Sequence, residues 1–163
     1  MKRFLSFHGI VTAINDFLID ETDEKEGCYK LMSTQDSHGS VVNFVISPST
    51  YFVDHDIIRI GDIITGFYDA NAPVPLIFPP QFRAIVVAKS IPYRNIEVDY
   101  FNNQLINSDN TLKLNISPYT QTLLENGQPF TKNPRRRNLI VTYGPTTRSI
   151  PAQTTPYKII VMC

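Results

Sequence analysis

Tryptophan is absent from this chain of 163 residues, cysteine occurs twice and glycine only seven times. Each scarcity closes off a class of explanation. Cys28 and Cys163 form no Cys-x-x-Cys pair, so neither a disulfide framework nor a thiolate zinc site is encoded, and a reducing compartment is expected. Cys28 also follows an acidic stretch, the opposite of the electropositive setting that a reactive thiolate needs. No Gly-x-Ser-x-Gly elbow occurs, and the scattered glycines build no phosphate-cradling loop. Asp54-His55-Asp56, read as a strand, would point two carboxylates to one face and His55 to the other, whereas a metal needs converging ligands. His8 and His38 are far apart in sequence. No catalytic residue, metal or cofactor is therefore assigned. No apolar run approaches the roughly 20 residues that span a bilayer, and the Met-Lys-Arg start lacks the apolar region of a signal peptide. The expectation is a cytoplasmic protein with no membrane partner.

Net charge is absent as well, with 15 basic and 15 acidic residues, but the balance is uneven along the chain. Residues 1–90 carry seven basic against eleven acidic side chains, and residues 91–163 eight against four. Oppositely charged halves could dock on each other or support head-to-tail association of identical chains, and salt would screen either. A general nucleic-acid binder carries a clear positive excess, which this chain does not.

What the chain has is β-forming material: 42% hydrophobic residues, ten phenylalanines, eight tyrosines and twelve prolines that oppose long helices. Strand-like runs are expected at Phe4–Ile14, Tyr29–Ser33, Val41–Ile46, Ile57–Tyr68 and Phe82–Ala88. A second set follows at Asn95–Phe101, Leu112–Ile116, Leu139–Tyr143 and Tyr157–Met162. Turn signals such as Asp36-Ser37-His38-Gly39 and Asn126-Gly127 separate them. Only Asp16–Glu26 and Tyr119–Glu125 are compatible with helix.

The two sets repeat one another. Ile46-Ser47-Pro48-Ser49-Thr50 returns seventy positions later as Ile116-Ser117-Pro118-Tyr119-Thr120. From Tyr68, which matches Tyr143, the offset reads as seventy-five, placing Phe82 with Tyr157 and Ile85-Val86-Val87 with Ile160-Val161-Met162. The change falls in one connection, where insertions are tolerated. Two tandem units are expected, residues 1–91 and 92–163.

Five strands per unit, a hairpin-rich first sheet, a longer crossing between strands three and four, and the Gly61-Asp62-Ile63-Ile64-Thr65-Gly66 turn into the fourth strand together resemble the OB-fold. The resemblance is architectural and spans nearly the whole chain; the helix that usually caps such barrels is at most vestigial, and the second unit has a shorter first hairpin. It implies an all-β chain of two packed five-stranded barrels, with a ligand groove shaped partly by the loop between strands four and five. A pair of SH3-like barrels or one continuous β-sandwich are the alternatives.

That loop is the richest candidate for a site. Between Tyr68 and Arg83 four prolines hold the chain extended around Leu76, Ile77 and Phe78, with Asp69 and Asn71 offering polar contacts beside Tyr68. Tyr68, Asp69, Asn71, Leu76, Phe78 and Arg83 are thus expected to grip a protein partner, unless Leu76–Phe78 form a strap over a barrel end. The matching loop of the second unit, Gly144–Pro156, also carries prolines but is polar, with Thr146, Thr147, Arg148, Ser149, Gln153 and Thr154, so it is not expected to grip in the same way. Lys132, Arg135, Arg136 and Arg137, with Arg148 and Tyr143, form an alternative surface for single-stranded nucleic acid, where Tyr119 and Phe130 could also stack on bases. A solvated basic loop is its bland counterpart. A small molecule or oligosaccharide in a barrel mouth is a third possibility. The expected function is that of a non-catalytic binding module.

Overall fold

A computed structural model describes residues 2–17 and 24–163. Those residues contain strands, turns and no α-helix, so the chain is all-β. Most of Asp16–Glu26, expected as an acidic loop or a short helix, lies outside them. The chain divides into two compact units, Met1–Ser90 and Ile91–Cys163.

The first unit is built on one long strand. β1 (Phe4–Asp16) pairs over its first half with β5 (Ile63–Asp69) and over its second half with β2 (Lys30–Gln35), both antiparallel. A register shift between Val11 and Ala13 marks the change of partner. β2 returns as β3 (Val41–Ile46) through a hairpin in which the Asp36 carboxylate accepts the backbone N–H groups of His38 and Ser40, each at 2.9 Å. β3 pairs in parallel with β6 (Gln81–Arg83), and β5 pairs antiparallel with β7 (Val86–Lys89). Only Ala84 and Ile85 separate β6 from β7, so one short stretch of chain joins both sides of the sheet. The enclosed core holds Val11, Met32, Val42, Phe44, Ile64 and Val87. Phe44 is fully buried, and its ring leaves no space above Gly66: a Cβ there would lie 2.5 Å from it.

The second unit repeats this scheme with shorter pieces. β8 (Asn95–Phe101) pairs with β11 (Arg137–Tyr143), which pairs with β13 (Lys158–Met162), all antiparallel. β9 (Leu112–Leu114) pairs in parallel with β12 (Ala152–Thr154) as a separate ribbon, and single bridges at Phe101–Asn107 and Ile106–Lys113 stand where the first unit has its long hairpin. Phe101, Leu112, Leu114, Leu139, Val141, Ile159 and Val161 form its core.

Several expectations need correction. The sheets have seven strands in the first unit and four plus two in the second, not five in each. β5 begins at Ile63 rather than Ile57, because Val53–His55 forms a single 3-10 turn in which Asp54 and His55 both adopt positive φ. Tyr119–Glu125 is not helical: β10 (Gln121–Leu124) adds in parallel to β13, just as β4 (Tyr51–Phe52) adds to β7. A partner strand with free backbone groups outweighs the weak helical preference of so short a segment.

The repeated Ser-Pro-x-Thr sequence forms the same clip twice. The Thr50 N–H donates to the Ser47 carbonyl at 3.0 Å, closing a turn with proline at its second position. The Thr50 hydroxyl accepts the Ser47 N–H at 3.0 Å and donates to the Ala84 carbonyl at 2.8 Å. In the second unit Thr120 accepts from Ser117 at 3.2 Å and donates to the Pro156 carbonyl at 2.7 Å. Ala84 therefore corresponds to Pro156, an offset of seventy-two. Strand pairing agrees: Phe44 faces Phe82 as Leu114 faces Thr154, and Gly66 faces Val87 as Val141 faces Ile159. The seventy-five offset holds through β5 and β11 and fails in the last strand, where the sequence alignment is three residues out of register.

Replacing Thr50 or Thr120 with valine keeps the shape but strands a backbone N–H and a carbonyl, and is expected to cost about 1–2 kcal/mol in urea unfolding. Ser49→Ala, at an exposed hydroxyl, serves as a control and should leave the unfolding midpoint unchanged. Equal midpoints for all three variants would show that the clip does not stabilise the fold.

Candidate functional site

The loop between β5 and β6 is held at both ends and free in the middle. At its start the Ala70 N–H donates to the Arg3 carbonyl at 2.7 Å, and the Asp69 carboxylate accepts the N–H groups of Arg3 and Asn71 at 3.0 and 2.9 Å. These bonds, that from Asn71 foremost, hold the Asp69 carboxyl below its ordinary pKa. At its end the Asn43 N–H donates to the Pro80 carbonyl at 2.9 Å. Between these anchors Leu76 is 101% and Phe78 is 91% exposed. A strap would bury these side chains; here they cover nothing.

The predicted residues of this loop separate into two groups. Tyr68 is half-buried, its ring stacked on Phe82 with centroids 4.0 Å apart and planes 8° from parallel, and burial raises its phenol pKa. It lies 6.3 Å from the Phe44 ring and belongs to the wall of the core. Asp69 fastens the base of the loop. Asn71, Leu76, Phe78 and Arg83 are exposed.

The corrected register brings out a correspondence that the sequence alignment missed. At an offset of seventy-two, Pro73, Phe78-Pro79 and Gln81 fall on Pro145, Ile150-Pro151 and Gln153. Both of these X-Pro bonds are cis, and Ile150 is 90% exposed, matching Phe78. The second loop is also pre-folded: Thr147 and Gln153 exchange hydrogen bonds at 2.9 Å, and the Ser149 hydroxyl donates to the Pro151 carbonyl at 2.8 Å. Each unit thus presents one large apolar side chain at the same place on an anchored loop.

The basic connection is more dispersed than its sequence suggests. Lys132, Arg135, Arg136 and Arg148 are exposed, whereas the Arg137 guanidinium lies over the Phe130 ring, 4.7 Å from its centroid. Phe130 and Tyr143 both pack against the core of the second unit. Of the three aromatic rings expected to stack on bases, only Tyr119 is fully available, at 93% exposed.

Sequence reading also missed a carboxylate. Glu97 on β8 is half-buried, and its pKa rises to about 7, first through desolvation and then through the negative charges of Asp99 and Asp109. Strand alternation, which sets residues 97 and 99 on one face, carried that signal. Tyr143 on β11 is raised in turn by burial and by Glu97. No three His, Cys, Asp or Glu side chains among the described residues come together as a metal site. No helix among the described residues is long and apolar enough to cross a membrane.

Comparison with protein-family models, curated proteins and solved structures finds no match for this chain.

Glu97 gives stability a pH dependence with a definite sign. Its carboxyl holds a proton more tightly when folded than when unfolded, so the stabilisation is complete below about pH 4.5 and is lost as pH rises through about 7. Glu97→Gln should remove that slope and raise the melting temperature at pH 8 relative to wild type, while changing it little at pH 4.5. A wild-type slope that survives the substitution would locate the proton elsewhere.

Proposed function

We propose that the chain is a non-catalytic binding module of two OB-type barrels that recognises a protein partner through the apolar tips of its β5–β6 and β11–β12 loops. One observation carries this reading: Phe78 and Ile150 occupy equivalent positions, both almost fully exposed, on loops whose bases are tied down by hydrogen bonds. An exposed phenylalanine or isoleucine gains the fold nothing, because it buries no surface. On a pre-folded loop it loses little entropy when it enters a pocket on a partner. Leu76 beside Phe78 enlarges the first tip, while Asn71 and Arg83 supply polar contacts near it.

The OB assignment draws support from the pairing scheme. In the first unit β1 lies between β2 and β5, and the final stretch of chain runs parallel to β3 as β6 before turning antiparallel to β5 as β7. The second unit keeps the same parallel and antiparallel partners for its last strand. Single-stranded nucleic acid is the weaker reading, since Arg137, Phe130 and Tyr143 are engaged within the second unit.

The double variant Leu76→Ser, Phe78→Ser is expected to keep the wild-type melting temperature, because neither side chain is buried. A photo-crosslinking residue at position 78 should trap one protein from native lysate in near-stoichiometric yield, and the same residue at exposed position 49 should not. Equal trapping at both positions, or a large loss of stability in the serine variant, would refute the loop as a recognition surface.

A further inference from the structure

The second unit contains a cleft of about 720 Å³ lined by residues 103–105, 113–116 and 133–135. That size is within the range of small-molecule sites, and the three chain segments that form it are each fixed before any ligand arrives. The first wall, residues 103–105, is held by the Asn102 carboxamide, which accepts the N–H groups of Gln104 and Ile106 at 2.9 and 3.1 Å. Leu105, buried with a positive φ of 59°, is tied by its carbonyl to the Leu114 N–H at 2.9 Å. The second wall is β9 and its exit, where the Asn115 side chain donates to Gln153 at 3.1 Å. The third is the turn at residues 133–135, closed by the Asn133 carboxamide accepting the Arg135 N–H at 3.0 Å over a buried Pro134.

The chemistry of the lining is selective. Two cations, Lys113 and Arg135, face the cleft, no acidic side chain lines it, and neither cation is ion-paired among the described residues. An anion is the ligand that such a field attracts. A bare phosphate would use those two groups alone. The carboxamides of Asn103, Gln104, Asn115 and Asn133 each offer an acceptor as well as donors, and acceptors are satisfied by hydroxyl groups. Ile116, exposed at the rim, adds apolar surface on which a sugar ring can rest.

We infer that this cleft binds a phosphorylated sugar, free or as part of a mononucleotide, with the phosphate on Lys113 and Arg135 and the hydroxyls on the surrounding carboxamides. The site lies wholly within the second unit and does not depend on the loop reading above. Arg135 belongs to the basic cluster expected from the sequence to contact nucleic acid, whereas Lys113 and the carboxamides carry no motif that the sequence alone would mark.

Calorimetric titration of the full chain with ribose 5-phosphate, adenosine monophosphate and inorganic phosphate tests the inference. Saturable one-to-one binding of at least one ester is expected, stronger than that of inorganic phosphate. Arg135→Gln, at an exposed side chain, should weaken it about tenfold through loss of a charge-assisted hydrogen bond while leaving the melting temperature unchanged. Lys113→Gln should do the same, and Arg148→Gln should not. Preference for adenosine monophosphate over ribose 5-phosphate would identify a nucleotide, and the reverse a free sugar phosphate. Binding of inorganic phosphate as tight as that of the esters, insensitivity to both cleft variants, or no saturation at millimolar ligand would overturn the proposal. So would binding of an oligothymidylate when neither ester binds.

Discussion

Both units depend on one threonine hydroxyl, used as donor and acceptor at once. The last strand of each unit must leave its parallel partner and join an antiparallel one, and it does so across a few residues: Ala84 and Ile85 in the first unit, Thr155–Tyr157 in the second. At that crossing the strand's own pairing lapses, so its carbonyls need other partners. Thr50 takes the Ala84 carbonyl and the Tyr51 N–H takes that of Ile85; Thr120 takes Pro156 and the Gln121 N–H takes Tyr157. Proline in the preceding turn fixes the threonine in place, and from the next residue β4 or β10 runs beside the final strand. Without the clip, nothing in the pattern of apolar residues would fix where the crossing occurs.

This explains which parts of the architecture could be read from the sequence. The clip itself was legible, because serine, proline and threonine at fixed spacing have a turn mechanism. The hairpin at Asp36 was legible for the same reason. The register of the last strand was not. Val86, Val87 and Ala88 are all buried, as are Ile159, Ile160 and Val161, and a strand covered on both faces shows no alternation from which to take a phase. Apolar residues then align equally well at several offsets, and the longest apolar match was three residues wrong. Three identities at the correct offset, Pro73 with Pro145, Pro79 with Pro151 and Gln81 with Gln153, were present in the sequence but carried less hydrophobic weight. Short elements failed for another reason. β4 and β10 exist because a neighbouring strand offers hydrogen bonds, a property of the partner rather than of the segment.

The candidate sites show the same division. Exposure of Leu76 and Phe78 could not be deduced from a sequence in which an apolar tripeptide more often signals burial. Tyr68 stands at the start of the loop in sequence, yet an aromatic at the end of a core strand is in position to stack inward, and Phe82 across the sheet supplies the partner. Lys113 is, in sequence, a single cation in a short strand, with nothing around it to mark a site. Its significance comes from residues 103–105 and 133–135, which the fold brings around it from well separated parts of the chain.

The two units have the same frame but meet their surroundings with different chemistry, and the clip makes that possible. Because each crossing is fixed by backbone and hydroxyl groups, the loop that precedes it can change composition without moving the strands. In the first unit that freedom admits an apolar segment around Leu76 and Phe78. In the second it admits Arg148 and a network of hydroxyls, with a single apolar residue, Ile150, left at the tip. The same tolerance accounts for the connection ahead of β11, where Asn133, Pro134 and Arg135 form one wall of a cleft without disturbing β9 or β11. Neither the exposed apolar tips nor the unopposed cations contribute to either core. Their cost in solvation is small, a few exposed side chains on loops already ordered by their own hydrogen bonds, and that cost has no return in folding. The partner proposed at the loop tips and the ligand proposed in the cleft would supply one.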